Sequence, residues 1–174
     1  MRAFVFLLVL PLAANAQNTT TVFGKSVTVT TVSSSIVSET EENLVASVAP
    51  ILQLHSEQTG HEACAQICKS SNQYGAVVTT VGSHIMCPVT NLCPEGFTPT
   101  NVGIHSHPGG HSYKINPVDK ILLNSPFYKV GATEKRGKNN AFSDEDFASG
   151  AGYMVNAQGE IFYQDGPKKV RKIR

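Results

Sequence analysis

Hydrophobic and polar positions along the chain fall into segments of two different periods. Ser38-x-x-Glu41 is a capping box, and the apolar residues after it, Leu44, Val45, Val48, Ile51 and Leu52, recur with the helical period. They predict an amphipathic helix, with Pro50 set to kink or split it and Gly60 to end it. A second short helix is expected to carry Glu62, Cys64 and Cys68 to about Ser70. Tyr74 to Val81 is a β-branched run, read as a buried strand, with a turn at Gly82-Ser83 and a returning strand from His84 to Val89. Asn91 to Thr100 reads as loop and Asn101 to His105 as a strand. Pro108 to Ala141 is a long irregular stretch with one short apolar piece at Ile121-Leu122-Leu123. A stretch of that length is expected to act as a lid or wall. Ser143 is placed to cap a helix, and Tyr153-Met154-Val155 and Ile161-Phe162-Tyr163 flank a turn signal, predicting a hairpin. The Thr-, Ser- and Val-rich lead, residues 17–37, contains the alternating Val27-Thr28-Val29-Thr30, a strand or an extended lead-in. The order of elements is α+β.

The first residues change the compartment in which this fold is expected. Arg2, the apolar run Ala3–Leu12 and the small-residue site Ala14-Asn15-Ala16 have the layout of a secretory signal. The expected organisation is therefore a signal peptide at 1–16, the Thr/Ser-rich segment at 17–37 and one domain at 38–174 with an insertion at 108–141. The apolar run is too short to span a bilayer, and no later segment is long enough. A formal net charge of +1 gives no argument for nucleic acid. The basic tail, Lys168 to Arg174, reads as an edge strand guarded by charge. Asn18-Thr19-Thr20 is a glycosylation sequon, meaningful only in a eukaryotic host. Four cysteines in an exported chain favour two disulfides over a metal site. Their C-x3-C and C-x5-C spacings also miss the C-x2-C of structural zinc sites. Three pairings are possible, and those joining Cys64 and Cys68 to Cys87 and Cys93 are expected. The protein is expected to be secreted or periplasmic.

The candidate chemistry lies in Gly103-Ile104-His105-Ser106-His107-Pro108-Gly109-Gly110. Histidines two apart on a strand share a face, so both imidazoles can reach one ion at about 2.0–2.1 Å. Pro108 and the glycines end the strand there, which puts the pair at a mouth. A carboxylate from Asp146, at the third position of the helix capped by Ser143, makes three protein ligands. The fourth tetrahedral position is then open for water, as in a catalytic zinc site. The blander readings are two strand-end histidines, a helix-capping Ser143 and a first-turn acid favoured by the helix dipole. His111 reads as loop, and His55, His61 and His84 have no partner pattern.

His105-Ser106-His107-Pro108 followed by Ser143-Asp144-Glu145-Asp146 resembles the His-x-His…Ser-x-x-Asp signature of the JAMM (MPN+) metalloproteases. Within that superfamily it is most similar to bacterial JAMM-like domains of polymorphic toxins. The resemblance runs from about Gln73 to the C-terminus, with more residues between His107 and Ser143 than the core pattern has. It implies a JAMM/MPN-like (cytidine-deaminase-like) mixed sheet flanked by helices. It also implies zinc on His105, His107 and Asp146, with Ser143 steadying an oxyanion. The implied reaction is hydrolysis of a peptide or isopeptide bond in a protein or peptide substrate, a peptidoglycan stem peptide included. The family's general-base glutamate is expected just before Tyr74, where this chain has Gln73, an amide that takes no proton at neutral pH. Glu62 is the expected substitute, ahead of Glu57. The alternative is a non-catalytic binding domain that has lost its base.

Overall fold

The computed structural model describes residues 18–174 except 111, 138 and 139. The expected signal peptide and His111 lie outside the described residues. The chain opens with β1 (Asn18–Val22) and β2 (Lys25–Ser38), then the long helix α1 (Glu41–Thr59). β3 (Cys64–Lys69), β4 (Tyr74–Thr80) and β5 (Thr98–Ser106) follow. Next come β6 (Ser112–Lys114), α2 (Pro117–Leu123), β7 (Thr133–Lys135) and α3 (Asp144–Ala148). The chain closes with β8 (Gly152–Val155), β9 (Ile161–Gln164) and β10 (Val170–Lys172). Eight strands form one mixed sheet in the order β1-β2-β4-β3-β5-β8-β9-β10, with β6 and β7 as a separate pair. β5 and β8 pair in parallel; the other neighbours in the large sheet are antiparallel. The architecture is α+β, a mixed sheet flanked by helices.

Helix α1 covers one face of the sheet. Leu44, Val45, Val48 and Leu52 are buried against Ala65 and Ile67 of β3, Ala76 and Val78 of β4, Ile104 of β5 and Val155 of β8. The other face has a smaller core in which Val27 and Val29 of β2 meet Val81 and Leu122 of α2, so the Thr/Ser-rich lead is strand and not an unpaired tail.

Four local expectations are corrected. The α1 N-cap is Thr40, which accepts Asn43 N–H, and not Ser38, because β2 runs on through Ser38 in register with Tyr74. Pro50 does not split α1; it sits on the exposed face, where the Ala46 carbonyl that loses its donor can turn to water. Residues 62–70 form no helix. Cys64–Lys69 is a strand between β4 and β5, buried on both faces up to Cys68, and tertiary pairing overrides local propensity there. The return from His84 to Val89 is irregular because β2 and β3 already occupy both edges of β4.

The crossing segment is instead pinned to the outer face of β3 by Cys64–Cys87 and Cys68–Cys93, which are the expected partners. Residues 108–141 also fold more than expected. Asn116 and Asp119 form a capping box with Pro117 in the first turn of α2, and β6 pairs with β7. The basic tail forms β10 at the sheet edge, where it pairs with β9.

Candidate metal centre

Side chains alternate along β5. Ile104 and Ser106 turn toward α1, so His105, and His107 just past the strand end, project from the opposite face. His107 N–H donates to Val155 O at 2.8 Å, continuing the β5–β8 pairing beyond the strand. Pro108 is buried, and a Cβ on Gly109 would come within 2.9 Å of the Ala157 Cβ, so only glycine lets this turn pass the β8–β9 hairpin.

Asp146 reaches the histidines from α3. Ser143 caps that helix: its Oγ accepts Asp146 N–H at 3.2 Å and donates to Asp146 Oδ2 at 3.0 Å, and Ser143 N–H donates to the same Oδ2 at 2.7 Å. This leaves Oδ1 turned toward His105. The five-residue helix is held from below by the buried Gln164 of β9, whose Nε2 donates to Asp146 O and Gly150 O. Phe142 lies edge-on to the His105 ring with centroids 6.2 Å apart. Asn156 Nδ2 donates to Asn140 Oδ1 at 3.2 Å, tying the hairpin to the segment entering α3.

The donors converge. His105 Nε2 is 3.0 Å from His107 Nε2 and 3.3 Å from Asp146 Oδ1, and His107 Nε2 is 3.7 Å from Asp146 Oδ2. Donor atoms of all three residues lie within 4.8 Å of one another. Ligands about 2.0–2.1 Å from a tetrahedral ion stand roughly 3.3 Å apart, so the spacing is that of an ion's first shell. Protonation states match. Burial, and then the neighbouring His107, lower the His105 imidazole to about 4 against the opposing pull of Asp146. Burial pushes the Asp146 carboxyl up, but His107, His105 and the Ser143 N–H outweigh it and hold the carboxyl well below the usual range. The pull of His107 is electrostatic, since 3.7 Å is too long for a hydrogen bond. Near neutral pH the cluster thus offers a deprotonated imidazole and a carboxylate, the forms a divalent cation requires. His105, His107 and Asp146 could hold a metal ion.

Glu62 and Gln73 fall in different places. Cys64 pairs with His105, Ala65 with Ile104, and Ser106 N–H donates to Ala63 O at 2.9 Å; extending this register sets Glu62 opposite His107. Glu62 is buried, and desolvation raises its carboxyl to about 7, against the favourable charges of His107 and Arg136 and with the unfavourable ones of Asp146 and Asp119. Gln73 is exposed in the turn that links β3 to β4. It is six residues from Thr79, which pairs with Cys64, so it stands roughly 20 Å along the strands from the histidines. Glu57 is on α1, where it accepts from Gln53 Nε2 at 2.9 Å.

Two neighbours of the site are brought to it by contacts between segments distant in sequence. Arg136, from the insertion, donates to His84 O at 2.8 Å and to Gly60 O at 3.2 Å, clamping the α1 terminus next to Glu62. Asp119 is fully buried and accepts from Ser83 Oγ, His84 N, His84 Nδ1 and Asn116 N at 2.7–2.9 Å, which fastens the insertion to the sheet. The contacts of Arg136 and those of Asp119 with Ser83 and His84 join residues more than thirty positions apart, whereas the Asn116-x-x-Asp119 capping box is a local pattern. A third residue, Ser106, was discoverable: the alternation that aligns the histidines also turns the residue between them to the opposite face.

No family model, curated protein or solved structure matches the chain.

Proposed function

We propose that this chain is an exported, JAMM-like zinc-dependent hydrolase that cleaves a peptide or isopeptide bond. The observation that carries the reading is the convergence of His105, His107 and Asp146 at ion-shell spacing, with the buried carboxyl of Glu62 in register with His107. The motif order and the mixed sheet with its His-x-His at a strand end support the family assignment. Two disulfides fit an oxidising compartment, secreted or periplasmic. Among the described residues no helix is long and apolar enough to cross a membrane.

The donor set fits zinc: His105 and His107 would hold it through two imidazoles and Asp146 through a carboxylate. When bound, zinc supplies Lewis acidity that brings a water near neutral pKa. The chain's own residues do the rest. Glu62, with its carboxyl raised to about 7, takes a proton from attacking water and returns it to the leaving nitrogen. Ser143 fixes the Asp146 carboxylate through Oδ2, and its hydroxyl can serve a substrate oxygen only by leaving that bond. The loss of a base inferred from Gln73 does not weigh against catalysis, because Gln73 is remote from the histidines and Glu62 is not.

The substrate class is a protein tail or a peptidoglycan stem peptide. The test is elemental analysis of the purified chain, then assay of wild type and Glu62→Gln on linear peptides, lysine isopeptides and peptidoglycan stem peptides. Stoichiometric zinc in both proteins, with turnover only in wild type, is expected. A chain free of zinc, or one that retains turnover after Glu62→Gln, overturns the reading.

A further inference from the structure

Behind the metal ligands, on the α1 side of the sheet, two hydroxyls are buried where apolar groups would pack as well. Ser106 stands between His105 and His107 and points away from them; Ser56 is on the last turns of α1. Their Oγ atoms are 2.6 Å apart. Ser56 Oγ donates to His61 O at 2.8 Å, and Ser106 Oγ accepts Ala63 N–H at 2.9 Å. A hydroxyl has one proton. With Ser56 committed to His61 O, Ser106 donates to Ser56, and the direction is set: Ala63 N–H to Ser106 to Ser56 to His61 O. The weaker 3.2 Å approach of Ser106 Oγ to Ala63 O is secondary.

The two ends of this chain are the peptide groups on either side of Glu62. The His61 carbonyl belongs to the peptide before it and the Ala63 amide to the peptide after it. The backbone that carries Glu62 is thus bonded on both sides, through two side chains, to the residue between the two histidines. Ser106 N–H adds a direct bond to Ala63 O at 2.9 Å.

We propose that Ser106 and Ser56 are positioning residues that lock Glu62 and the His105–His107 pair into one fixed geometry from the far face of the sheet. The proposal rests on the metal reading above. Partners that orient metal ligands typically change affinity 10–100-fold when removed. Removing Ser106 Oγ leaves the buried Ala63 N–H without its acceptor and Ser56 Oγ without its donor, and the strand end carrying His107 is then held only by the backbone bonds of Ser106 N–H to Ala63 O and His107 N–H to Val155 O.

The experiment is zinc titration of the purified, disulfide-intact chain in competition with a chromophoric chelator, with the cobalt(II) absorption spectrum as a second readout. The proteins are wild type, Ser106→Ala, Ser56→Ala and the double variant. Ser106→Ala is expected to bind zinc 10–100-fold more weakly and to alter the cobalt spectrum. Ser56→Ala is expected to move both in the same direction, and the double variant to be no worse than Ser106→Ala, because the hydroxyls act as one chain. Ser56→Ala keeps the test decisive if Ser106→Ala does not fold, since alanine is the better helix former. A purely packing role would lower the melting temperature and leave zinc affinity and the cobalt spectrum unchanged; that result overturns the proposal. A wild-type chain that takes up no zinc overturns the metal reading and this proposal with it. Tight wild-type binding that the serine variants do not weaken overturns the positioning role alone.

Discussion

Replacing Glu62 by Gln in the metal-free protein should make folding stability depend on pH in a way the wild type conceals. Glu62 is buried and its carboxyl is raised from the ordinary 4.5 to about 7. A carboxyl raised this far holds its proton in the folded state and loses it in the unfolded chain between those two values. Its contribution is therefore full below about pH 4.5 and lost as pH rises to about 7, at a cost of about 3 kcal/mol. His105 acts in the opposite sense. Its imidazole, lowered from 6.5 to about 4, is protonated in the unfolded chain but not in the folded one between those values. Stability tied to His105 thus rises by about 3 kcal/mol as pH goes from about 4 to 6.5. Across pH 4.5–6.5 these two slopes oppose each other in the wild type, and the imidazoles of His55 and His61, also lowered by burial, add to the rising one. Glu62→Gln removes only the falling one. The variant should gain on the wild type by about 3 kcal/mol between pH 4.5 and 7.5. Urea unfolding followed by far-UV circular dichroism, with chelator present and disulfides intact, measures this at both pH values. If the difference between variant and wild type is the same at pH 4.5 and 7.5, the Glu62 carboxyl is not raised and the reasoning fails.

The remaining predictions concern the ligands, the staples and the insertion. His105→Ala or Asp146→Asn should abolish stoichiometric zinc, and chelator should then no longer lower the melting temperature; differential scanning fluorimetry with and without chelator checks it. Cys64→Ser with Cys87→Ser, or Cys68→Ser with Cys93→Ser, opens a crosslink spanning 23 or 25 residues. Each should lose about 3 kcal/mol in urea unfolding. Asp119→Ala strands the Ser83, His84 and Asn116 donors that the buried carboxylate satisfies. It should cost about 1–3 kcal/mol, and limited proteolysis should then cut within 108–141 first. Gln73→Glu should leave turnover unchanged in the peptide assay, because the side chain lies in an exposed turn away from the histidines.

The sequence by itself determined the elements whose signal is local. Alternation put His105 and His107 on one face, Ser143 and Asp146 wrote their own capping box, and the helical period of Leu44, Val45, Val48 and Leu52 marked the buried face of α1. Export-type cysteines announced two disulfides. Tertiary structure decided what depends on who occupies a neighbouring edge or cavity. β3 is a strand and not a helix because β4 and β5 flank it, and no local pattern in Cys64–Lys69 records that. His84 to Val89 has no strand to join because β2, from the start of the chain, had taken the edge of β4. The same long-range pairing separated the two candidates for a base. Glu62 and Gln73 lie at opposite ends of one hairpin, so eleven residues of sequence became the difference between a buried acid in register with His107 and an exposed amide in a turn. Sequence specifies which groups can do chemistry; the distance between them is set by strand register, a property of pairs of segments that neither segment encodes alone.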